Sequence, residues 1–78
     1  MDLQYVHKIR KQIVVTGRAI KELPVFGTLK LNDRLYRVTC TQYGRKVEYN
    51  IGDIVGYSFD NDQPLYEELH PGMFLEIN

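Results

Sequence analysis

Residues 34–59, RLYRVTCTQYGRKVEYNIGDIVGYSF, decide the fold. They read as three strands in succession, Arg34–Tyr43, Lys46–Ile51 and Ile54–Phe59, punctuated by Gly44-Arg45 and Gly52-Asp53. A two-residue turn with glycine first suits a type II′ hairpin. With Gly44-Arg45 as that turn, Val38 faces Ile51, Cys40 faces Tyr49 and Tyr43 faces Lys46. Side chains alternate between the faces of a strand. One face then collects Val38, Cys40, Val47, Tyr49 and Ile51, and the other Thr39, Thr41, Tyr43, Lys46, Glu48 and Asn50. A slip of one residue would destroy that separation of apolar from polar.

The same logic extends outward. Val25–Leu31 alternates, with Gly27, Leu29 and Leu31 on one side and Phe26, Thr28 and Lys30 on the other. Asn32-Asp33 is a turn pair between two such runs. A two-residue loop there sets Leu29 opposite Tyr36 and Gly27 opposite Val38, which continues the inner face. Downstream, Val55, Tyr57 and Phe59 share a face, as do Met73, Leu75 and Ile77 of a last short strand. Between them, Pro64 suits the first turn of a helix capped by Asp62, and His70-Pro71-Gly72 stops that turn after Leu69. Upstream, Ile13, Val14, Val15 and Thr16 favour a strand from about Lys11 to Ile20, with a bulge expected at Gly17. Leu3, Val6, Ile9 and Ile13 recur at helical spacing behind Asp2, which favours a short helical or irregular start over an early strand.

Six short strands in 78 residues predict an all-β, mainly antiparallel domain spanning residues 1–78. Such a sheet curls to remove its edges. The expectation is a small, strongly bent β-barrel or sandwich of the SH3-like or OB-like kind, with a short N-terminal helix and one helical turn near 64–69. The alternative is α+β, with the N-terminal helix packed on an antiparallel sheet.

Composition narrows the function classes. The single Cys40 forms no internal disulfide, and the longest aliphatic run is Ile13-Val14-Val15. Both features point to a cytoplasmic chain with no membrane span. One cysteine and the separated His7 and His70 give no zinc spacing. Asp60-Asn61-Asp62 opens like a calcium loop, but Pro64 takes the next ligand position and no glycine stands at the sixth. Cys40 falls on the apolar face, and no glycine-rich phosphate cradle occurs. No cofactor, metal or catalytic residue is therefore expected, and the chain reads as non-enzymatic.

The net charge of zero hides a polarity. Ten cations and three acids lie at or before Lys46, giving +7; seven acids and no cation follow, giving −7. Such asymmetry hints at macromolecular partners. The primary expectation is a protein-binding module, an adaptor or inhibitor, whose acidic patch of Asp60, Asp62, Tyr66, Glu67 and Glu68 imitates a nucleic-acid backbone. The alternative is a single-stranded nucleic-acid-binding barrel that uses Lys30, Arg34, Arg37, Tyr43, Arg45 and Lys46. Neutrality overall makes unaided phosphate binding costly and favours the protein partner. Joining head to tail as a homo-oligomer is a third outcome of opposed poles.

Overall fold

The computed structural model describes residues 1–41, 48–60, 64 and 66–78. Eight strands are β1 (Asp2–Ile9), β2 (Gln12–Arg18), β3 (Leu23–Pro24), β4 (Phe26–Leu31), β5 (Arg34–Cys40), β6 (Glu48–Tyr49), β7 (Ile54–Phe59) and β8 (Glu76–Ile77). Six of them form one antiparallel sheet in the order β1-β2-β7-β5-β4-β8, and β3 pairs with β6 separately. The sheet curls into a half-barrel. Its first and last strands are drawn together by the segment before β8. Leu3 donates to Met73, Gly72 to Leu3, and Leu75 to Met1, at 2.8–2.9 Å. The amino group of Met1 donates back to the Leu75 carbonyl at 2.7 Å. This is the bent all-β architecture expected, and the described residues contain no α-helix.

The inner face carries the core. Ile13 and Val15 of β2, Val55, Tyr57 and Phe59 of β7, Tyr36, Val38 and Cys40 of β5, and Leu29 and Leu31 of β4 are buried, with Leu75 and Ile77 beside them. Tyr36 meets Phe59 edge to face at 5.5 Å. The Tyr57 hydroxyl donates to the Pro24 carbonyl, which satisfies the one polar atom of a wholly buried ring. The β4–β5 hairpin has the expected register, Leu29 opposite Tyr36 and Gly27 opposite Val38. Its turn places both Asn32 and Asp33 at positive φ, 49° and 65°. That backbone twist matches the twist of the flanking strands.

Three expectations are corrected. First, residues 2–9 form a strand paired with β2 rather than a helical or irregular start. The helical spacing has a specific origin. A register shift between Leu3 and Tyr5 adds one residue, so Leu3 and Val6, three apart, both turn inward. Such a bulge imitates the helical period over one turn. The expected bulge at Gly17 therefore lies opposite it, on β1. Second, β5 pairs with β7, and the described residues Glu48–Tyr49 pair elsewhere. Val38 is opposite Phe59, Thr39 opposite Ser58 and Cys40 opposite Tyr57. The apolar triplet of β7 completes the core, whereas Ile51 is 72% exposed instead of inward. Of the strand expected at 46–51, the described residues carry Glu48–Tyr49, opposite Leu23–Pro24, and Lys46 and Val47 lie outside them. The Gly44-Arg45 turn, with Tyr43 and Val47, lies outside the described residues. Third, the helical turn near 64–69 is a 3-10 turn of Tyr66–Glu68, and the last strand shortens to Glu76–Ile77. Asp62, its expected cap, also lies outside the described residues.

Candidate binding surface

Two surfaces carry the chemistry. The first is the 3-10 turn. Pro64 and Leu69 are buried on either side of it, and the Leu69 amide donates to the Tyr66 carbonyl at 3.2 Å. The Tyr66 hydroxyl reaches the Val6 carbonyl of β1 at 3.2 Å. The ring is thus tied at its tip yet remains partly exposed, with Glu67 exposed and Glu68 half-buried beside it. Three of the five expected acidic-patch residues stand together here. Asp60 stands apart from them, just past the end of β7. Its amide donates to the Arg37 carbonyl at 3.0 Å, and its carboxylate accepts the Thr39 hydroxyl, 2.7 and 2.9 Å from the two oxygens.

The second surface is the outer face of the sheet. Cross-strand register lines up His7, Val14, Ser58, Thr39 and Phe26 across five strands. The middle three are half-buried, while His7 and Phe26 at the ends are exposed, Phe26 by 69%. Tyr5 stacks on His7 with centroids 6.1 Å apart and planes at 27°. Small residues occupy the neighbouring row of β7 for a steric reason: a Cβ at Gly56 would sit 2.7 Å from the Thr41 hydroxyl. Two open depressions lie end to end along one side of the row. One is lined by Ile9, Arg10, Lys11, Gln12, Phe59 and Asp60. The other includes Phe26, Thr28, Arg37, Asp60 and Asn78. They meet at Asp60.

Of the basic residues expected to grip nucleic acid, Arg37 lies in the second depression. Lys30 is opposite Glu76 of β8 on the same outer face. Arg34 lies with its guanidinium carbon 5.5 Å from the centroid of the Tyr36 ring. Tyr43, Arg45 and Lys46 lie outside the described residues. The two charged halves of the sequence therefore interleave where β8 meets β4 and where Asp60 meets Arg37. Tyr5 and His7 escaped the sequence reading because a helical start gave them no common face. Phe26 was legible, since strict alternation puts it on the side of Thr28 and Lys30.

Among the described residues no three His, Cys, Asp or Glu side chains group as metal ligands. No helix of the described residues is long and apolar enough to cross a membrane. Compared with protein-family models, with curated proteins and with solved structures, the chain matches none.

Proposed function

We propose that the protein is a small non-enzymatic protein-binding module, an adaptor or inhibitor, that engages its partner through the acidic turn at Tyr66, Glu67 and Glu68. The observation that carries this reading is the tie between the Tyr66 hydroxyl and Val6. An aromatic ring held at its tip loses little freedom on binding, and that saving favours affinity. Carboxylates beside it steer a basic partner and set orientation. Together they imitate the alternation of charge and ring along a nucleic-acid strand, which suits a basic groove on the partner. The buried thiol of Cys40 fits a reducing, cytoplasmic setting.

The test is capture of partner by the immobilised protein, with Glu67→Lys/Glu68→Lys as the comparison. A partner retained by the wild type and lost by the double variant supports the reading. Equal recovery by both removes the acidic turn from it.

A further inference from the structure

We infer a second, independent binding surface: the outer face of the sheet takes single-stranded nucleic acid, laid across the strands rather than along them. This goes beyond the acidic turn and shares no residue with it.

The row His7–Val14–Ser58–Thr39–Phe26 crosses four strand intervals. At about 4.8 Å each these span about 19 Å. At about 3.4 Å per stacked nucleotide, that length matches about five or six bases. Both ends of the row are aromatic, with the stacked Tyr5–His7 pair at one and Phe26 at the other. Every base has a π-face, so two such platforms grip a strand with little regard to sequence. Between them the floor is low, and it carries the hydroxyls of Ser58 and Thr39, whose hydrogens go to the Thr39 carbonyl and the Asp60 carboxylate and whose lone pairs are left to accept from base edges.

The phosphates have a matching track. Arg10 and Lys11 line one depression and Arg37 the other. Asp60 interrupts the cations at the junction, so the track is weakened at one identified place. That detail separates a nucleic acid from a basic protein partner. A phosphate strand gains when the Asp60 charge is removed. A basic protein docked on the same face loses.

The experiment is fluorescence anisotropy of a labelled 12-nucleotide oligo(dT), titrated with the full chain at low and moderate salt. The expected result is binding that weakens with salt. His7→Ala and Phe26→Ala each reduce affinity by about 5- to 150-fold. Both side chains are exposed, and the thermal midpoint of each variant is measured alongside so that the loss of affinity is scored on folded protein. Lys11→Gln and Arg37→Gln each lower the log–log salt slope by about 0.7. Asp60→Asn, which keeps an acceptor for Thr39, tightens binding. Ile51→Ala, exposed but off the row, changes nothing. No binding at low salt overturns the inference. So does equal affinity for a 12-base-pair duplex, or binding indifferent to both aromatic substitutions. Weakened binding by Asp60→Asn overturns the phosphate track. Poly-glutamate held as tightly as oligo(dT), with the same loss on Phe26→Ala, assigns the face to an acidic protein instead.

Discussion

Gly17→Ala tests how the half-barrel is held together. A Cβ at Gly17 would sit 2.1 Å from the Asp2 carbonyl oxygen and 3.0 Å from Cγ of Met1. The first contact is with backbone, so the start of β1 must retreat from β2 by roughly an ångström to reach ordinary packing distance. That start holds the four bonds to the Gly72–Leu75 segment, all at 2.7–2.9 Å. A retreat of that size takes them past useful hydrogen-bonding distance. Each is worth about 0.5–1.5 kcal/mol net, so the four together contribute about 2–6 kcal/mol. Alanine recovers about 0.5–1 kcal/mol by restricting the unfolded chain. The expected net loss is about 1–5.5 kcal/mol. A chain of this length has a total stability of about 4–12 kcal/mol, so the loss is severe. Urea unfolding measures it. Hydrogen exchange at the Leu3 and Leu75 amides locates it, since these should lose protection before the amides of β5 and β7. A variant within 0.5 kcal/mol of the wild type, with both amides still protected, would refute the reasoning.

Two further outcomes follow from single contacts. Tyr57→Phe removes the donor to the Pro24 carbonyl while keeping the buried ring; a loss of about 1 kcal/mol in denaturant unfolding is expected, and no loss would mean that water replaces the hydroxyl. Burial pulls the α-amino group of Met1 below its ordinary value of 8.0; Asp2 opposes that shift and Lys21 adds to it. Between the lowered pKa and 8.0 the unfolded chain binds more protons than the folded one, so this group's contribution to stability rises with pH across that window. Acetylating the amine should therefore remove that part of the rise in thermal midpoint as pH increases toward 8.

The β4–β5 hairpin was fully legible because its information is local: two alternating runs and a turn pair fix one register. The inward faces of β7 and of Leu75 and Ile77 were legible for the same reason. Strand partnership was not. Residues 46–51 and 54–59 both alternate, and alternation says which side chains share a face without saying which strand lies next door. The tie is broken by volume, because Tyr57 and Phe59 fill the space beside Tyr36 and Val38. The strand β1 was hidden by its own bulge, whose extra residue shifts the apolar period. The row from His7 to Phe26 depends on both of those non-local facts. The sequence therefore exposed Phe26 and Thr39 but not the row that joins them, while Tyr66, Glu67 and Glu68 were visible as neighbours in the chain.

The place of β7 between β2 and β5 also dictates an order of events. The β1–β2 and β4–β5 hairpins each close through a two-residue loop, and neither touches the other in the sheet without β7. Hairpins of that kind form in about 1–10 μs. The pairing of Val14 with Ser58 spans 44 residues of chain, so it comes late and carries most of the entropic barrier. A nascent chain synthesised only as far as Asp53 displays two one-sided apolar hairpins and an excess of cations. The arrival of Ile54–Phe59 then supplies the shared wall on which both hairpins condense, and the residues that neutralise them follow directly behind. The rate-limiting step in folding should be the insertion of this one strand. Substitutions in β7 should slow folding, and those at the β3–β6 pair should chiefly speed unfolding.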